Sequence, residues 1–521
     1  MEIISFVVFT LLVALLAWWY SRKTDETSSD GYFLGGRSLT GPVIAGSLLL
    51  TNLSTEQIVG MNGVSFRDGI PIMAYEVVAA IAMVFTAFVL LPKYLKSGIA
   101  TIPQFLENRY GKSTKTIVSL LFLLGYAISM LPTVLYSGAL AINSMFDIPE
   151  KLGMSPEPAL WVTVWAIGIV GSIYAIFGGL KAVVISDSIN AIGLIIGGSL
   201  IPIFGLMKIG DGNIFTGLKT LTTVLPEKFD IIGGPDSDVP FWTLFTGMII
   251  VNFYYWGTNQ AIIQRALGAK NLKEGQKGLL LAAFIKILGP FIVVLPGIIA
   301  FYIFNGNIEN PDEAYPMVVK AVLPVAFIGF FAAVLFGAIL SSFNSALNSS
   351  VTLFGLDFYK EYINKEASGT QVVKAGKTFG IVLALFSMGI APLLYGVQGG
   401  IFTYLQELNG THSVPILAII IIGIFSKRVS GKAANIAILF SVVTYLMTLY
   451  IIKPDISFLH LMGILFVLTI IIMFVVSHFI PRETDFEQEY TKQVDITPWR
   501  YLKPVGYLVV GIVVGIYIWL S

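Results

Sequence analysis

Leu49-Leu50-Thr51-Asn52-Leu53-Ser54-Thr55-Glu56-Gln57-Ile58-Val59-Gly60-Met61 begins and ends inside an apolar run but is polar at its centre. A helix in hydrocarbon must satisfy every backbone group itself, and a lipid-facing one would not carry Thr, Asn, Ser, Glu and Gln together. Such a cluster halfway along a membrane-length segment predicts a helix that is broken there and lines a cavity.

The rest of the chain supports a membrane setting. Of its 521 residues 56% are hydrophobic and only 12% charged, about half the charge of a soluble domain. Mean hydropathy is +0.82. Fourteen apolar segments follow one another: 3–20, 41–63, 70–92, 116–145, 158–178, 182–207, 240–264, 278–304, 318–351, 376–395, 400–426, 433–452, 457–480 and 504–520. Most reach the ~20 residues that cross ~30 Å of hydrocarbon. The expected fold is an all-α polytopic membrane protein with 14 transmembrane helices, one transporter domain over 1–521.

With the N-terminus outside, 24 of the 32 Lys and Arg, starting from Arg22 and Lys23, fall in inner segments. Seven fall outside, and Lys286 lies within a span. The positive-inside rule then puts both termini on the outer face of a plasma (inner) membrane. The run Ile3–Tyr20 reads as a first span, since Glu2 precedes it without Lys or Arg and no small-x-small cleavage site follows. The long outer loop 208–239, rich in Gly, Pro, Asp and Thr, is expected to form a partly structured lid.

Several classes of function are excluded. Without cysteine there is no disulfide, thiolate metal site or cysteine nucleophile. His412, His460 and His478 are far apart in sequence, which disfavours a histidine metal cluster. A net charge of +1 offers no basic face for nucleic acid. Nothing resembles a nucleophile–base pair or phosphate loop, so the chain does not read as an enzyme.

A second interruption, Asn252-Phe253-Tyr254-Tyr255-Trp256-Gly257-Thr258-Asn259-Gln260, falls in the seventh span, five spans after the first and entering from the opposite side. That pattern predicts inverted repeats of five spans each, 41–207 and 240–426, with a site between them at the midplane. The span 3–20 and three spans over 433–520 are then additions.

Other polar groups fall within spans. Glu76 costs at least about 2.5 kcal/mol in a span unless paired or wet. Lys286, in the eighth span, is too deep to snorkel easily. Together they neutralise each other and still offer donors and acceptors, which suits an uncharged, hydroxyl-rich solute. Ser341, Ser342 and Ser345 either mediate helix packing or, facing carbonyls freed by a broken helix, form a cation site of neutral oxygens. Asp187 reads as an interface carboxylate or a way-station for a departing cation. Gln406 and Glu407 add polarity to the eleventh span. Tyr255 and Phe402 are aromatic neighbours of polar positions.

These residues resemble the sodium/solute symporter family, in particular its sodium/glucose and sodium/galactose cotransporter branch. The motifs are Asn52-Leu53-Ser54-Thr55-Glu56-Gln57, Tyr75-Glu76, Ala182-Val183-Val184-Ile185-Ser186-Asp187, Asn252-Phe253-Tyr254-Tyr255-Trp256, Gln264-Arg265, Lys286 before Pro290, Ser341-Ser342 and Tyr404-Leu405-Gln406-Glu407. The resemblance implies a LeuT-like fold and sugar contacts at Asn52, Gln57, Glu76, Asn252, Lys286 and Gln406. It implies an inner gate at Tyr255 and an outer gate of Met61, Tyr75 and Phe402. It implies a sodium ion held by carbonyls of Leu50, Leu53 and Ala338 and hydroxyls of Ser341 and Ser342. Asp187 would lie on the sodium exit route, and Ser345 is the candidate for a second sodium found in some relatives. Ala79 stands where the galactose branch has a serine, which removes one hydroxyl contact. The implied activity is sodium-coupled sugar import. The alternatives are another solute of the wider family (inositol, a sugar acid, a nucleoside, an amino acid) or an uncoupled sugar sensor or uniporter.

Overall fold

The computed structural model describes residues 2–21, 28–235, 237–395 and 400–520. Arg22 and Lys23 lie outside them. Within them the protein is helical throughout, with no β-strand. Ten helices are long and apolar enough to cross a membrane, or eleven when Leu272–Lys286 and Gly289–Ile303, bent by 50°, count as one span. Helix assignment is continuous over Pro156–Ile209. A straight helix of that length would run about 80 Å, far more than a bilayer, and the apolar windows Pro156–Ile173 and Leu180–Ile209 count as two spans.

The helices that build the centre are α1 (Gly41–Asn52), α2 (Thr55–Asp68), α3 (Ala74–Phe85), α4 (Gly247–Gly257), α5 (Gln260–Leu267), α6 (Leu272–Lys286), α7 (Val325–Leu353) and α8 (Ile401–Phe425). The interrupted stretches form two broken spans, α1–α2 and α4–α5. In the first, Leu53 and Ser54 leave the helical region (ψ 57° and 177°). Ser54 is the N-cap of α2, with Glu56 in the first turn, where the helix dipole favours an acid. In the second, the Asn259 side chain accepts the Ala261 amide and starts α5.

The loop 208–239 is tied down on α2 and α8. The Lys228 ammonium donates to the carbonyls of Phe66 (3.1 Å) and Arg67 (2.5 Å) at the C-terminal end of α2. Asp238 pairs with Arg67 and accepts the Thr403 hydroxyl of α8 at 2.9 Å. Three residues counted as inner loop charges have another role. Arg265 and Arg109 are fully buried and Lys115 nearly so. Arg109 donates to the carbonyls of Gly423, Ser426 and Val429, closing the end of α8.

Candidate functional site: a cavity between two broken helices

The first break carries a polar network. Asn52 donates to Gln57 Oε1 (3.3 Å), and Gln57 donates to Glu76 Oε1 (2.6 Å) and touches Met61 Sδ (3.1 Å). Lys286 Nζ bonds to both Asn52 Oδ1 and Glu76 Oε1 and lies 5.7 Å from the Trp256 ring centre. Glu76 and Lys286 are both fully buried, so each charge depends on the other. Gly289 makes the approach possible, because a Cβ there would lie 2.1 Å from Glu76 Oε2.

Beside this network lies a cavity of about 50 Å³, room for a few waters. Of the expected contacts, Asn52, Gln57, Tyr75, Asn252, Tyr255, Phe402 and Gln406 line it. Glu76, Lys286 and Met61 stand behind that wall and reach it through Gln57 and Asn52. The Tyr255 hydroxyl lies against the Asn52 side chain, joining the expected inner gate to an expected solute contact. Tyr75 and Phe402, two residues of the expected outer gate, meet edge to face, 5.0 Å between centres. Gly60 permits this closure, since a Cβ there would sit 2.5 Å from Phe402 Cβ. Ala79 is fully buried.

The expected ion site lies where α1 ends against α7. A helix end leaves its last carbonyls without intrahelical donors. The Leu49 carbonyl takes the Leu53 amide (2.7 Å) and the Thr51 carbonyl takes the Ser342 hydroxyl (3.1 Å). Among the described residues no donor is placed on the carbonyls of Leu50 and Leu53. Ser341 Oγ is buried without a well-formed hydrogen bond. Ala338 is buried one helical turn before Ser342. Unfilled oxygens at such a junction fit a hard, weakly polarising cation.

Asp187 is completely buried. It accepts the Ser47 hydroxyl at 2.6 Å, has Ser341 and Thr51 beside it, and faces Arg265 at 3.9 Å. Arg265 also donates to Ser345 Oγ and to the Ala261 carbonyl. It lies within α5, just past the second break, between the apolar pairs Ile262-Ile263 and Ala266-Leu267.

The cavity also includes Glu56, Tyr126, Trp256, Asn259, Asn409 and His412, to which no role had been assigned. On α8, the lining residues Phe402, Leu405, Gln406, Asn409 and His412 fall at positions i, i+3, i+4, i+7 and i+10. That spacing marks one helix face and could have revealed the last two from the sequence.

Fold and cavity together define a multi-pass membrane transporter. Residues 32–440 match the sodium:solute symporter family. The chain is 46% identical to an uncharacterised symporter, YidK, of Escherichia coli K12, over 99% of this chain and 90% of that one. It is 36% identical to a sodium/glucose cotransporter of Vibrio parahaemolyticus, over 85% and 83% of the two chains. The solved structure of a Na+-coupled sialic acid symporter shares the fold with a TM-score of 0.79 and 22% identity, covering 94% of this chain and 99% of that one. The protein belongs to the sodium:solute symporter family. Sodium is the ion that membership brings, and the chain is a transporter rather than an enzyme.

Proposed function

We propose that the protein imports a hexose-like sugar, driven by sodium, by alternating access. The carrying observation is the placement of the Asn52–Gln57–Glu76–Lys286 network directly beside the open carbonyl end of α1. Sodium at Leu50, Leu53, Ala338, Ser341 and Ser342 pins the first break against α7. That fixes Asn52 and Gln57 for the sugar, with Asn252 and Gln406 opposite and Glu76 and Lys286 orienting the amides from behind. Met61, Tyr75 and Phe402 close the outer side, Tyr255 yields on the inner side, and sodium leaves past Asp187. The cavity lining contains no arginine, which disfavours a carboxylate solute. The sodium/glucose cotransporter among the relatives supports a sugar.

We read the chain as crossing the membrane fourteen times: the eleven spans above, Glu2–Ser21, and the two broken spans α1–α2 and α4–α5. The broken spans head inverted repeats in a LeuT-like core, and both termini lie outside. We also infer a single sodium per cycle, because the Arg265 guanidinium on Ser345 disfavours a second cation there. One charge falling through ~100 mV yields about 2.3 kcal/mol, and a tenfold sodium gradient adds about 1.4 kcal/mol. Together they support accumulation on the order of 500-fold.

The test is uptake of labelled hexoses, inositol, sugar acids, nucleosides and amino acids into proteoliposomes, with and without an inward sodium gradient. Hexose accumulation that collapses without the gradient is expected. Equal flux in both conditions would rule out coupling, and accumulation of a non-sugar alone would rule out the sugar.

A further inference from the structure

The cavity has two polar walls, and His412 stands apart on the second of them, where Tyr126 bonds Asn259 and Ser129 donates to Asn409. Asn52, Gln57, Glu76 and Lys286 bond to one another. On the other wall His412 is 6% exposed. Its ring lies over Gly125 and meets Tyr254 edge to face at 5.4 Å. It lines the cavity, yet among the described residues neither ring nitrogen takes part in a hydrogen bond.

Buried histidines are almost always hydrogen-bonded, and neither His412 nitrogen is among the fully enclosed unpaired atoms, so both keep access to the space beside the ring. This protein contains its own control. His460, outside the cavity wall, shares a 3.1 Å hydrogen bond with the Thr246 hydroxyl. His412 is more deeply buried than the half-buried His460, yet no protein group among the described residues takes its nitrogens, which lie beside Gly125 in the cavity wall.

We propose that His412 is a solute-contacting, specificity-determining residue that hydrogen-bonds a hydroxyl of the bound solute. It stands on α8 six residues and about 9 Å of helix beyond Gln406, roughly 120° around the axis, at the other margin of the lining stripe. A polyhydroxylated ring held at Gln406 by one edge presents its opposite edge to His412, with both side chains reaching inward. The neighbours on this wall, Tyr126, Asn259 and Asn409, are uncharged, so the group read here is a neutral hydroxyl rather than a carboxylate or phosphate. The inference rests on the sugar reading and adds to it a second point of recognition.

The experiment compares wild type, His412→Phe and His412→Gln in proteoliposomes. The probes are D-glucose, D-galactose, their monodeoxy derivatives and myo-inositol. His412→Phe keeps the ring packing and removes both nitrogens. It is expected to raise KM for the transported solute about tenfold and to leave the sodium half-saturation within about twofold. His412→Gln is expected to recover most of the loss. One monodeoxy derivative should show the same KM on wild type and His412→Phe, identifying the hydroxyl that is read. Unchanged KM in His412→Phe, or an equal loss for every derivative, would overturn the inference while the sugar reading stands. No sodium-dependent uptake of any probe by wild type would overturn both. Should His412→Phe melt early, the glutamine variant and the deoxy series decide.

Discussion

The two broken helices look alike in sequence and are finished differently. At the first, Leu53–Ser54, the carbonyls of Leu50 and Leu53 carry no donor, and the hydroxyls of Ser54, Thr55 and Ser341 have no well-formed partner. At the second, Thr258–Asn259, the carbonyls of Tyr255, Trp256 and Thr258 likewise carry no donor among the described residues, but side chains of other helices hold the groups around them. The Tyr94 hydroxyl donates to the Gly257 carbonyl at 3.0 Å. The Tyr126 hydroxyl donates to Asn259 Oδ1 and accepts the Ala261 amide, both at 2.9 Å. Gln260 accepts the Ile102 amide (2.8 Å) and donates to the Ala100 carbonyl (3.2 Å). Buried polar groups must be paired. Free carbonyls together with unpaired hydroxyls suit an ion at the first break, whereas the tyrosines and Gln260 that brace the second suit a structural joint. If this contrast is right, substitutions at the two breaks must differ in kind.

The largest effect belongs to the pair that anchors the open break. Lys286→Met leaves Glu76 buried and alone, at a cost of about 3–5 kcal/mol. Solute uptake is expected to vanish and thermal stability to fall. Adding Glu76→Gln should recover stability without recovering uptake. A Lys286→Met protein that still transports with a normal KM would remove the network from the site.

Next comes Ser342→Ala, which strips a hydroxyl from the open break and leaves the Thr51 carbonyl without its donor. The sodium concentration for half-maximal uptake should rise about tenfold, the equivalent of ~1.4 kcal/mol, with the fold retained. Sodium dependence indistinguishable from wild type would argue that the free carbonyls hold no ion.

How much of this contrast could be read from the chain follows from what a linear pattern contains. Both breaks were legible, because polar residues in mid-span have no other physical excuse, and so was the need of Glu76 and Lys286 for partners. Which break is braced depends on Tyr94 and Tyr126, residues of distant spans that look like ordinary membrane aromatics. Arg265 was misread for a related reason. A broken span shortens its apolar run, so an arginine just past the break looks like a loop residue until Asp187 and Ser345 are placed against it. Periodicity shows which residues share a face but not which helix that face meets.

A smaller effect concerns the outer half of the first break. Asp312 accepts the Ile401 amide at 3.1 Å, where α8 begins, and lies against Gly63 of α2. Burial, opposed by the Ile401 amide and by Arg67, pushes its pKa up from 3.8 to about 6. Between those values the folded protein holds a proton that the unfolded chain has released, so raising the pH across that window removes stability. The melting temperature of wild type is expected to fall by about one or two degrees between pH 4 and 6 relative to Asp312→Asn. A difference of opposite sign would mean that the carboxylate is stabilised as the anion and that the outer closure is held by charge.

The smallest expected effect is the most exacting, because it is a null in the quantity that defines the other break. Tyr126→Phe keeps the ring, which stacks on Phe122 as Tyr254 also does, and deletes only the hydroxyl at the start of α5. Asn259 still accepts the Ala261 amide at 2.9 Å, so the start of α5 keeps one of its two acceptors. The loss should be about 0.5–1.5 kcal/mol of stability, read as a slight lowering of the melting temperature with solute uptake somewhat reduced. Sodium half-saturation should not move. Were Tyr126→Phe to shift it as far as Ser342→Ala does, the second break would belong to the ion path as much as the first. Its tyrosines would then be occupants displaced during the cycle rather than fixed parts of a joint.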